Sequence, residues 1–243
     1  MNRLDPWRRL LAEWLGSALL AAVVIGSGIA AQRLSPAQTG LELFENAAAT
    51  AAGLYALILM LGPVSGAHFN PVVSFVDAAF GGTRWRTAVL YLPAQVAGCI
   101  CGALLANSMF SLPAVSISTH DRASGAHFLS EIVATAGLIL VIFCLVRTRR
   151  HAIVPAAVGA YIGAAYFFTS STSFANPAIT LGRMFSNTFA GIAPSSAPSF
   201  IAAQIIGGVL AFALIRVLYP TPQDRSGDQS PVAIDTSPAE EVV

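Results

Sequence analysis

Residues 174–183 read FANPAITLGR, and residues 65–71 read SGAHFNP. An Asn-Pro pair in apolar surroundings is a helix start. Pro is favoured at the first helical position because its missing N–H would have no intrahelical partner there. Asn before it is a strong cap, its side-chain oxygen accepting from an orphan backbone N–H. Asn70-Pro71 and Asn176-Pro177 therefore each predict a helix beginning at the proline. The apolar flanks predict that both begin inside a membrane, which is tolerated only where the exposed backbone is buried in protein or lines a cavity.

Composition agrees with that setting. Of 243 residues, 55% are hydrophobic and only 10% charged, with mean hydropathy +0.68, whereas a soluble domain carries about 25% charged residues. Six stretches approach the roughly 20 apolar residues of a span: 10–31, 45–62, 86–107, 128–147, 152–170 and 198–219. The first follows Arg3, Arg8 and Arg9 as a signal peptide would, but its length and Glu13-Trp14 at its start read as a retained helix. Two further segments, 62–82 and 170–191, are too apolar for water-exposed loops and too interrupted to span. Both read as re-entrant half-helices. Residues 220–243, rich in Pro, Ser, Asp and Glu, read as a disordered tail.

Every basic side chain is Arg. With the N-terminus inside, Arg3, Arg8, Arg9, Arg84, Arg86, Arg147, Arg149, Arg150 and Arg225 fall on one side, against Arg33, Arg122 and Arg183 on the other. The bias predicts cytoplasmic termini. Nothing resembles a nucleic-acid patch. Cys99, Cys101 and Cys144 read as small buried hydrophobes, and no residue set suggests a metal or cofactor.

The chain repeats itself. EWLGSALL from Glu13 answers EIVATAGL from Glu131, SGAHFNP answers STSFANP, and Gln95 answers Gln204, in the same order. Three spans separate the copies, so the second lies inverted, which places the functional site at the midplane where the halves meet. The expected fold is an all-α membrane protein of six transmembrane helices plus two re-entrant half-helices in an inverted repeat. It forms one channel domain, 1–219, with halves of about 8–107 and 127–219. Each half-helix start carries about half a positive charge, so two aimed at one point repel cations. With each Asn oxygen used in capping, its NH2 group is expected to stay free for a solute oxygen. Such a site suits neutral, oxygen-bearing solutes in single file.

SGAHFNPVV and FANPAITLG, with Glu13, Glu131, Gln95 and Gln204, resemble the aquaporin (major intrinsic protein) family over about residues 8–219. The resemblance implies a homotetramer in a bacterial inner membrane, one lipid-embedded channel per subunit, with Asn70, Pro71, Val72, Asn176, Pro177 and Ala178 at the pore centre. Two positions depart from the family. Val72 stands where Ala is usual, which predicts either a narrower pore or altered packing of the half-helices. Ile179 stands where most members carry a constriction Arg. Ungapped counting assigns the rest of that constriction to Thr50, Ala164 and Ser173, a set without ring or charge, so the filter is expected to be wide and weakly polar. An Ile here, with the altered first motif, is similar to a bacterial branch associated with arsenic resistance. That likeness implies passage of glycerol, uncharged arsenite or methylated arsenicals.

Arg183, four residues beyond Ile179 on nearly the same face, is a candidate for the outer vestibule; a salt bridge or interface snorkelling is the alternative. Asp77 is its repeat counterpart. Glu13 and Glu131 are either proton relays or acceptors for the N–H groups of the re-entrant loops, and the resemblance implies the second. His68 reads as a packed loop histidine, with pH sensing the alternative. Gly98 with Gly102, and Gly159 with Gly163, predict close helix contacts. The reading as a whole is a passive channel for small uncharged solutes. An ion-coupled transporter shares the architecture but needs ionisable groups where the motifs offer Asn, Ser and Thr. A non-conducting adhesive tetramer is the other alternative. No Ser-His or metal constellation suggests an enzyme.

Overall fold

The computed structural model describes residues 5–220, so the tail expected to be disordered lies, beyond Pro220, outside the described residues. Those residues form eight α-helices and no strand. Six are long and apolar enough to cross a membrane: α1 (Pro6–Leu34), α2 (Thr39–Ser65), α4 (Trp85–Met109), α5 (Gly125–Arg147), α6 (Val154–Phe168, entered through a 3₁₀ turn at His151–Ile153) and α8 (Ala197–Leu218). The half-helices are α3 (Pro71–Ala79) and α7 (Pro177–Arg183). The long helices mostly overrun the expected spans; α1 takes in Arg8 and Arg9, and α2 takes in Glu42 and Glu45. Hydropathy marks only the part of a helix at hydrocarbon depth, while backbone hydrogen bonding continues into the polar zone.

Packing follows the repeat. α1 lies on α4 as α5 lies on α8, α2 meets α6, and each half-helix contacts both α4 and α8. Both ends of the described chain lie on one side of the bundle, called here the terminal side; the other is the far side. The expected small-residue contacts are present. A Cβ at Gly98 or Gly102 would strike the carbonyl oxygens of Trp14 and Ala18 on α1, and one at Gly159 would strike that of Ala51 on α2. Cys101, in contrast to the expectation of burial, faces outward from α4, while Cys99 is buried.

The Val72 side chain does not line the cavity between the halves. It packs with Val73, Val76 and Ile139 against α8, where a Cβ on Gly208 would collide with its Cγ1. Of the two consequences expected from this substitution, the position of Val72 bears on the packing of the half-helix and not on the width of the lumen. The larger residue on α3 is matched by the smallest on α8. Gly208→Ala is expected to overpack this contact and cost about 1–3 kcal/mol, because a β-branched Val has little rotamer freedom with which to yield. Thermal unfolding in detergent should show the loss, and adding Val72→Ala should restore most of it.

Candidate functional site

Both re-entrant loops are shaped by strained backbone and a buried carboxyl. Ala67 and Phe69 have φ of 51° and 49°, and their counterparts Ser173 and Ala175 have 52° and 49°. Left-handed backbone costs a non-Gly residue roughly 1–2 kcal/mol, so something must hold it. Glu13 Oε1 accepts from the His68 amide (3.0 Å) and the Ser65 hydroxyl (2.6 Å), and Oε2 from the Phe69 amide (2.7 Å) and Gln95 Nε2 (2.8 Å). Glu131 repeats the pattern with the Phe174 amide (2.9 Å), Ser171 hydroxyl (2.6 Å), Ala175 amide (2.9 Å) and Gln204 Nε2 (2.6 Å). Each carboxyl thus takes up two amides that the loop cannot pair for itself. Of the two expectations for these residues, the geometry supplies loop donors.

The half-helix starts have the predicted caps: Asn70 Oδ1 accepts from the Val72 amide at 2.9 Å, and Asn176 Oδ1 from the Ala178 amide at 2.9 Å. Pro71 and Pro177 occupy the first helical positions. The amide nitrogens differ from expectation. Asn70 Nδ2 donates to the Ala175 carbonyl and Asn176 Nδ2 to the Phe69 carbonyl, both at 2.7 Å. Each Asn spends one N–H locking the opposite loop, because a buried carbonyl there has no other donor, and an amide nitrogen has a second N–H to offer. Asn70 and Asn176 both line the cavity, whereas the buried Ala178 does not.

That cavity has a volume of about 1300 Å³ and runs from Arg9, Thr83 and His151 on the terminal side, past the two asparagines, to Thr50, Tyr166 and Arg183 on the far side. His68 also lines it, with Nδ1 3.1 Å from the Ser74 hydroxyl and Nε2 3.7 Å from Asp77 Oδ2. The ring edge of His68 meets Tyr91. This is a packed loop histidine that also faces the lumen. Asp77, counterpart of Arg183 in the repeat, lines the cavity beside this ring.

Ala164 is a correction. It is exposed on the outer face of α6 and does not line the cavity; Val158, Ile162 and Tyr166 do. Counting back from the second Asn-Pro without gaps presumes a fixed loop length, and two residues on an α-helix turn the face by about 200°. Packing of α6 against α2 and α5 turns inward the i, i+4, i+8 row of Val158, Ile162 and Tyr166. That row was legible as a period. Thr50, Ser173 and Ile179 do line the cavity. Thr50 Oγ1 and the Tyr166 hydroxyl are 3.1 Å apart, while the Ser173 hydroxyl has no hydrogen-bond partner among the described residues. The far-side ring therefore holds an aromatic residue and a pair of hydroxyls. The expectation of a set without any ring gives way to that.

Beyond the ring, the link between α4 and α5 is pinned to the segment after α7. Ser116 and Ser118 amides donate to the Phe185 and Met184 carbonyls, and Arg122 donates to the Gly191 (2.8 Å) and Phe189 (3.0 Å) carbonyls. Burial lowers the pKa of Arg122 from its usual value. The Ser196 hydroxyl, with the Ala123 amide, holds exposed Asp121 below the ordinary carboxyl range. No group of three or more His, Cys, Asp or Glu suited to a metal occurs among the described residues.

A family model described as Major intrinsic protein matches residues 1–174. The aquaglyceroporin AqpS of Rhizobium meliloti is 50% identical over 90% of this chain and 93% of its own. The glycerol uptake facilitator protein of Pseudomonas aeruginosa is 32% identical over 86% of this chain and 87% of its own. Among solved structures, the aquaglyceroporin from Plasmodium falciparum superposes with a TM-score of 0.70 over 87% of this chain and 96% of that one, at 20% identity, a likeness of fold.

Proposed function

The chain belongs to the major intrinsic protein family and is a passive channel for water and glycerol-like solutes; from that premise we propose that residues 1–219 act as one conduit whose far-side ring, Thr50, Tyr166, Ser173 and Ile179, selects small uncharged polyhydroxylated molecules. Glycerol-sized polyols fit this class, as do neutral arsenite and methylated arsenicals. The observation that carries the reading is the run of lumen from the terminal side past both Asn-Pro starts to the hydroxyl pair of Thr50 and Tyr166. Apolar walls such as Leu54, Ile58 and Ile162 line its length, so a solute sheds water on most sides and is compensated at a few polar points. Its charged side chains lie toward the mouths, Arg9, Asp77 and Arg84 on one side and Arg183 on the other, while the central stretch presents the asparagine amides with the His68 ring beside them, held by the Ser74 hydroxyl. That arrangement suits passive passage better than ion coupling. The Arg bias supports cytoplasmic termini, the likeness to the Rhizobium meliloti relative supports a bacterial inner membrane, and membership of the family supports assembly as a homotetramer.

Stopped-flow light scattering on reconstituted vesicles tests the reading. Glycerol should equilibrate faster than in empty vesicles and at a rate independent of ion gradients. No swelling response would make the protein a non-conducting scaffold, and gradient-dependent flux would make it a coupled transporter. Tyr166→Phe keeps the ring but removes a hydrogen bond worth about 1 kcal/mol net, so the glycerol-to-water permeability ratio should fall roughly fivefold. An unchanged ratio would remove Tyr166 from the solute path.

A further inference from the structure

We propose that Arg183 supplies, from one helical turn away, the cationic donor that the ring lacks at Ile179, and that Phe174 and the Ala190 carbonyl hold its guanidinium there. The proposal rests on the channel reading above and names the residue that sets its charge discrimination.

Arg183 is 2% exposed, which excludes snorkelling to an interface. Among the described residues no carboxylate lies within ion-pairing distance of it, so it is not one half of a structural salt bridge. A buried cation without a counter-ion is costly, and the structure shows what offsets that cost. The guanidinium carbon lies 3.4 Å from the centroid of the Phe174 ring, and Nε donates to the Ala190 carbonyl. An aromatic face attracts a guanidinium, more strongly when both are desolvated. Phe174 is itself held edge-on against Phe200 at 5.0 Å and carries Arg122 at 5.4 Å.

The terminal nitrogens are the informative part. Nη1 and Nη2 donate to no protein acceptor among the described residues, and neither is sealed away as a buried unpaired atom. Arg183 lines the same cavity as Thr50, Tyr166, Ser173 and Ile179. Its free donors therefore face the lumen.

The depth follows from helix geometry. Side chains on an α-helix lean toward its N-terminus, covering the turn before their own Cα. The N-terminus of α7 lies at the bilayer centre, so the Arg183 side chain leans inward over the turn that begins at Ile179. Stacking on Phe174, which precedes the half-helix, fixes it in that direction. A solute at the ring thus meets a planar donor that can hydrogen-bond the lone-pair oxygens of neutral alcohols or oxyacids, while a cation meets a fixed positive charge in a low-dielectric wall.

Arg183→Ala, Arg183→Lys and the native chain should be compared in vesicles for glycerol and water permeability and for sodium and proton leak, with folding checked by size exclusion and melting. Arg183→Ala is expected to raise cation leak about tenfold, the low end of what a focused local charge does to ion occupancy. Arg183→Lys, a point charge without the planar fork, should keep cations out while shifting the glycerol-to-water ratio. A folded Ala variant with native leak and native ratio would overturn the proposal. Should the Ala variant not fold, a Lys variant with a native ratio would overturn it equally. A native chain with no glycerol flux would instead defeat the channel reading itself, so the two failures are distinguishable.

Discussion

Ile179→Arg should slow glycerol about thirtyfold while leaving water flux within a small multiple of native, because a barrier raised by about 2 kcal/mol has that effect on rate. Ile179 is 4% exposed and lines the lumen with Thr50 and Tyr166. A guanidinium there brings a longer side chain into the ring and places a second cation one turn from Arg183, on nearly the same face. Two like charges in an apolar wall repel strongly, so the new side chain is driven across the pore instead of folding back along α7. Water, the smaller solute, passes a narrowed ring that a three-carbon polyol does not. Stopped-flow measurement with water, glycerol and a four-carbon polyol reads the effect directly. Equal slowing of all three would show that Ile179 does not sit at a size-selecting constriction. Pairing the change with Arg183→Ala should recover part of the glycerol flux, since the repulsion is then removed.

Glu131→Ala should cost about 3–5 kcal/mol, the range for stripping one partner from a buried charged network. The side chain is fully buried and receives hydrogen bonds from the Phe174 and Ala175 amides, the Ser171 hydroxyl and Gln204. Removing it leaves two backbone donors unpaired in an apolar interior and releases the left-handed residues Ser173 and Ala175. The damage reaches the other half as well, because the Ala175 carbonyl is the acceptor for Asn70 Nδ2. A fall in melting temperature of roughly 6–20 °C in detergent is expected for a chain of this size, with loss of glycerol flux at temperatures below melting. Glu131→Gln should be intermediate, since it keeps one acceptor oxygen and turns an NH2 group toward donors. A melting temperature within 2 °C of native for the Ala variant, roughly 1 kcal/mol at most, would show that the loop holds itself.

Local backbone chemistry shows in the residues, and long-range packing does not. Caps at Asn70 and Asn176, helix starts at Pro71 and Pro177, and the paired environments of Glu13 and Glu131 were all legible, since each depends on local backbone chemistry or on a motif that occurs twice. The close approach at Gly98 and Gly102 was legible for the same reason: a missing Cβ is written in the residue type. Tyr166 was not found, although its row with Val158 and Ile162 has a readable period. Which side of α6 faces the lumen is set by its packing against α2 and α5, which an ungapped count from Asn176 does not see.

The order of elements, the inverted halves and the half-helix starts came from the chain alone, because hydrogen-bonding demands in an apolar medium leave few alternatives. Four matters waited for the folded arrangement: Tyr166 in place of Ala164, Val72 against Gly208, the amide nitrogens of the two asparagines tied to the opposite loop, and the Arg183 guanidinium on Phe174. Each is a relation between segments brought together by packing, where helix rotation and side-chain direction are set by neighbours far away along the chain.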